Sequence, residues 1–104
     1  MNPSSVNVLG KEYAILLVDK VDEKDSCGDH DAGTLEIKLK KSMHVDVIAE
    51  TLLHELTHAV EEQLDLGLHE KQVHRFSVGL FQVLRDNPQV VKFILERKRK
   101  RRGK

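Results

Sequence analysis

The sequence predicts an α+β fold, a small three-stranded sheet packed against two successive helices, within residues 1–96. Three observations predict it. Three apolar, β-branched stretches come first, the hydrophobic spacing switches from period two to helical spacing at Val45, and helical segments then follow without interruption by strands.

Each element has a local reason. SVNVL (5–9) alternates weakly, and Gly10-Lys11 turns it into EYAILLVD (12–19), a nearly continuous apolar run that reads as a central strand with Tyr13 in the core. KVDEKDSCGDHDAG (20–33) is rich in Asp and Gly and reads as a loop. In TLEIKLK (34–40), Leu35, Ile37 and Leu39 point one way while Glu36, Lys38 and Lys40 point the other, the mark of a half-exposed strand. From Val45, apolar residues recur at Ile48, Leu52, Leu56, Ala59 and Val60, which is one face of a helix. Asp65-Leu66-Gly67 ends it, with Gly67 suited to the left-handed position beyond a C-terminus. A second helix begins near His69 and carries Val73, Phe76, Leu80, Val83 and Leu84, which are expected in the core. Asn87-Pro88 breaks it, and Pro88 opens a short third helix, QVVKFILE.

Composition narrows the function classes. At 104 residues the chain has the size of one domain, and it shows no internal repeat. No apolar run approaches the length of about 18 residues that reads as a membrane span, and the first residues carry no secretory pattern. Cys27 is the only cysteine, which excludes an internal disulfide and fits a reducing, cytoplasmic setting. A net charge of zero conceals an asymmetry. Residues 97–104, RKRKRRGK, hold seven Lys or Arg and no acid, so positions 1–96 sum to −7. Such a block repels itself and is expected to be a disordered arm, in which Arg97, Lys98, Arg99, Lys100, Arg101 and Arg102 are placed to meet nucleic acid or an acidic protein surface. A solubilising tail is the plainer reading.

HELTH (54–58) lies within the first helix. Positions i and i+4 share a helix face, so His54 and His58 can aim two imidazoles at one Zn2+ ion. Glu55 is rotated by one residue and reaches beside the ion, where a base takes a proton from water and later hands it to a leaving amine. Catalytic zinc requires a third protein ligand and an open position. Glu61 and Leu64 stand where a metzincin-type site would continue. The candidates are therefore Glu70, His74 and His69 on the second helix, where Gly67 lets the chain reverse.

The segment ETLLHELTHAVEEQLDLGLHEKQVHRFSVGLFQVLRDNP resembles small zincin-like metallopeptidase domains, often phage or prophage encoded, related in pattern to the ImmA/IrrE and SprT-like groups. The resemblance covers Thr51 to Pro88 with its lead-in, about 45 residues, and GDHDAGTLEIKL is similar to the strand region preceding the active helix. It implies a minimal zincin-like fold and a zinc peptidase acting on a peptide or protein, possessing the third ligand at Glu70, ahead of Val73 and Arg75-Phe76-Ser77. A SprT-like site would use a histidine there instead. Gluzincins place an aspartate one turn after the ligand glutamate to orient the first histidine. Here that turn holds His74, so the support comes from elsewhere and His74 becomes a candidate oxyanion donor or an exposed bystander.

Two smaller features complete the reading. Cys27, His30 and Asp31 form a weak second metal cluster, better explained as an Asp- and Gly-rich turn. If TLEIKLK is an edge strand beside the cleft, Leu35, Glu36, Ile37 and Lys38 could pair with an extended peptide; its lysines also guard an edge against aggregation. The competing function is an adaptor for nucleic acid or protein, with a structural or vestigial zinc and a basic tail.

Overall fold

The computed structural model describes residues 3–21 and 27–96. In order, the elements are β1 (Ser5–Val8), β2 (Lys11–Val18), β3 (Gly28–Asp31), β4 (Glu36–Lys40), α1 (Val45–Gln63), α2 (Glu70–Asp86) and α3 (Pro88–Leu95). The α+β class holds, with four described strands rather than three. The added strand is β3, which lies inside the stretch expected to be a loop. The basic arm 97–104 lies outside the described residues.

The sheet order is β1-β2-β4-β3. β1 and β2 form an antiparallel hairpin whose register pairs Val8 with Lys11, so the turn residues are Leu9 and Gly10, one position before the expected turn. Both have positive φ, 50° and 93°, the pairing that a tight hairpin of matching twist demands. β2 and β4 are parallel, with Ile15 opposite Ile37, and β3 returns antiparallel to β4, with His30 opposite Ile37.

This order corrects one expectation. β4 is an interior strand, hydrogen-bonded on both sides, so Leu35, Glu36, Ile37 and Lys38 do not form an edge that a peptide could join. Among the described strands the edges are β1 and β3, and of these α1 lies mainly against β3. Leu35 itself precedes β4, with a left-handed φ of 58°.

The inward positions of β2 and β4 supply the core. Tyr13, Ile15, Ile37 and Leu39 are buried together with Val8 and Ala59, and Ile48, Leu52, Leu56 and Val60 of α1 close over them. The Tyr13 hydroxyl is buried without a hydrogen-bond partner among the described residues. Among the described elements α1 alone packs on the sheet. α2 packs on α1, and α3 on α2, so the helices step away from the sheet instead of sharing its face. The second correction follows. Val73 is fully buried and Leu80 half-buried, whereas Phe76, Val83 and Leu84 are exposed.

Two local devices position the site. Leu64 caps α1, the Asp65 N–H donates to the Glu62 carbonyl (3.2 Å) and the Leu66 N–H to the Glu61 carbonyl (3.0 Å). That is the Schellman pattern, with Asp65 (φ 54°) in the left-handed position and Gly67 (φ 68°) completing the reversal two residues later. The other device is a close approach of β3 to α1. A Cβ on Gly28 would stand 2.6 Å from Thr51 Cγ2 and 3.2 Å from both Leu39 Cδ2 and the Lys38 carbonyl oxygen.

Gly28→Ala is expected to lower stability by about 1–3 kcal/mol in urea denaturation, because a threonine χ1 has little freedom to yield. Tyr13→Phe removes an unsatisfied buried hydroxyl and is expected to leave stability unchanged or raise it by up to about 1 kcal/mol. A loss above that in the same assay would show that the hydroxyl is bonded.

Candidate metal centre

The reversal at 64–69 brings the start of α2 back over the last turns of α1. The Glu70 carboxylate then spans both imidazoles: His58 Nε2 lies 2.7 Å from Glu70 Oε1, and His54 Nε2 lies 3.1 Å from Glu70 Oε2. Ligand atoms from His54, His58 and Glu70 all fall within 4.8 Å of one another. Two donors on one tetrahedral zinc, each about 2.0–2.1 Å from it, stand about 3.3 Å apart. The two His–Glu separations, each to a different carboxylate oxygen, lie about 0.2 and 0.6 Å inside that figure, and two imidazoles with a carboxylate are a donor set zinc takes. The residues fit the ion.

The other third-ligand candidates fall elsewhere. His69 is at the N-cap of α2, where its backbone N–H donates to Gln72 Oε1 (2.8 Å). His74 lines the cleft, with its ring centroid 5.8 Å from that of His54, but its ring is not among the gathered donors.

The orienting partner that the sequence left unassigned is Ser77. His54 Nδ1 is 3.4 Å from Ser77 Oγ, and the Ser77 hydroxyl donates to the His74 carbonyl oxygen (3.1 Å). With the serine proton committed to the carbonyl, the serine oxygen accepts from Nδ1–H. Nε2 is then the nitrogen turned toward Glu70, and its lone pair is the one that a bound ion would take. Ser77 is 1% exposed, so solvent does not compete for this hydroxyl. It sits seven residues after Glu70, on the same face of α2, and that spacing was a usable signal.

Glu55 is buried, at 6% exposure, and lines the same cleft as His54, Glu70 and His74. The cleft encloses about 350 Å³ and is bordered by Gly28 of β3 and Val78 of α2. His30 of β3 lies beside Glu55 and His58. Its Nε2–H donates to Glu62 Oε1 (2.8 Å), its Nδ1 lies 3.7 Å from Glu55 Oε1, and its ring stacks on His58 at 5.6 Å. The Glu55 carboxylate is the principal reason that the His30 pKa is raised to about 9; partial burial opposes the rise and Glu62 adds to it. His30 therefore does not combine with Cys27 and Asp31 as a second metal cluster. Asp31 instead accepts from the Gly33 and Thr34 N–H groups at 2.8 and 3.2 Å, the Asp-Gly turn. No sequence spacing announces a pairing between positions 30 and 62.

With chelator present, His30 is protonated in the folded chain up to about pH 9 and in the unfolded chain only up to about 6.5. Its stabilising effect is full below pH 6.5 and is lost as pH rises through 9. The stability advantage of the wild type over His30→Gln, read by urea denaturation, is expected to shrink across that window. An advantage that stays constant from pH 6 to pH 9.5 contradicts the assignment.

Among the described residues no helix is long and apolar enough to cross a membrane. Comparison of the chain with protein-family models, curated proteins and solved structures returns no match, so its functional reading rests on the geometry of His54, Glu55, His58 and Glu70.

Proposed function

We propose that the chain is a zinc-dependent peptidase of minimal zincin type, with His54, His58 and Glu70 holding the ion and Glu55 as general base. What supports this reading is one observation: two imidazole nitrogens and a carboxylate converge from two helices, and His54 and Glu70 of that group line a cleft together with the buried Glu55. A zinc ion bound there would supply Lewis acidity, acidifying water and polarising a carbonyl.

The chain's own groups do the rest. Glu55 takes a proton from water at a carboxylate oxygen, the water oxygen bonds to the peptide carbonyl carbon, and the C–N bond breaks as Glu55 returns the proton to the departing nitrogen. Glu55 is held for this task by the His30 imidazole, and His54 by Ser77. His74 lines the cleft one turn from Glu70 and is a donor for the developing oxyanion. A peptide that pairs its backbone with a strand would meet β3, the edge bordering the cleft.

Metal analysis of the purified chain is expected to find one zinc per chain and close to none in His54→Ala. Glu55→Gln is expected to keep zinc and fold while cleaving a mixture of quenched fluorescent peptides about 10²–10⁴-fold more slowly. Zinc retained with equal peptide turnover in Glu55→Gln would remove Glu55 from the chemistry. Zinc bound with no turnover in any variant would favour the adaptor reading.

A further inference from the structure

α3 is an apolar helix with almost nothing to rest on. Val90, Phe93, Ile94 and Leu95 are 51%, 78%, 67% and 72% exposed, and among the described elements α3 touches only α2. Gln89, Lys92 and Glu96 cluster on one side, and Val90, Phe93 and Ile94 form the centre of the other. An apolar stripe of this kind on a soluble chain marks an interface.

The same chain carries an apolar groove. Ala49, Leu52, Leu53 and Leu56 of α1 and Phe81 and Leu84 of α2 line a depression of about 460 Å³, with Asp46 and Arg85 also in its wall. α3 cannot turn back into its own groove. Asn87 is the single residue between α2 and α3, and reversing two helices takes a loop of about 2–5 residues. The groove lies at the C-terminal half of α2, beside the point where α3 leaves, so a second copy can present its α3 there.

We propose that α3 of one copy seats in the α1–α2 groove of a second copy, and the reverse, forming a two-fold homodimer. Both surfaces belong to one chain, so the contact is self-complementary and closes on itself. Charges agree as well. The segment 97–104 that follows α3 in the sequence carries seven positive charges while positions 1–96 sum to −7, opposite signs that favour bringing α3 of one copy to the body of another. Covering Val90, Phe93 and Ile94 twice over, with the surface they meet, buries roughly 1,200 Å², the lower bound of stable pairs. Groove positions 46, 49, 53 and 56 lie on a different face of α1 from cleft positions 47, 50, 51 and 54, so docking leaves the cleft open.

The test is the solution mass of the full chain by sedimentation velocity at raised concentration, with circular dichroism to verify folding. The wild type is expected at the mass of two chains. Phe93→Glu, at an exposed helix position, and Ala49→Glu, at an exposed position of the groove, are each expected at the mass of one. A single-chain wild type overturns the proposal, and so does a dimer indifferent to either substitution. A single-chain protein that sediments with phosphatidylcholine–phosphatidylserine vesicles, and loses this with Phe93→Glu, would assign α3 to a lipid surface instead.

Discussion

The reach of Glu70 from α2 to the two imidazoles of α1 is the contact on which the rest of the centre depends. It exists because α1 ends in a Schellman turn at Leu64–Leu66 and the chain reverses through Gly67, which sets α2 antiparallel on α1. The helix pair is then locked by packing. Val73 and Ser77 are buried on the inner face of α2, and Ser77 converts that burial into a directed hydrogen bond on His54. A carboxylate in the first turn of a helix also benefits from the local field of the free N–H groups. Chain reversal, packing and ligand geometry are one structural solution seen from three distances.

The second support is the β3 edge. A glutamate as buried as Glu55 is costly unless a cationic or hydrogen-bonding group attends it. His30 is that group, and it reaches Glu55 because Gly28 lets the strand press against Thr51 without a side chain between them. Glu62, half-exposed at the other ring nitrogen, keeps the imidazole from rotating away. The glycine and the histidine thus belong to one arrangement, although neither belongs to HELTH.

Hydrophobic period and breakers made the helices legible: Val45, the 64–67 reversal and Asn87-Pro88 all fall at or within a residue or two of real boundaries. The shared face of His54 and His58 was legible for the same reason, since helical spacing fixes which side chains lie together, whereas spacing left Glu70, His74 and His69 as open alternatives and only the resemblance favoured Glu70. β3 was not. GDHD has no apolar alternation, and its extended form comes from pairing with β4 and from contact with α1, neither of which is local. The interior position of β4 was hidden likewise, because its parallel pairing with β2 skips over β3 in the chain. For Phe76, Val83 and Leu84, periodicity identified an apolar stripe correctly but carried no information about which body covers it.

α1 has an unusual division of labour for a single helix. Ile48, Leu52 and Ala59 meet the sheet, Glu50, His54 and Glu55 open on the cleft, and Ala49, Leu53 and Leu56 line the apolar groove. Its last residue, Gln63, donates to the Val8 carbonyl and is occupied too. Three crowded sides leave such a helix little neutral ground. Sequence drift in this chain should therefore accumulate at the hairpin tip at Leu9 and on the outer face of the sheet, while α1 stays nearly frozen along its length.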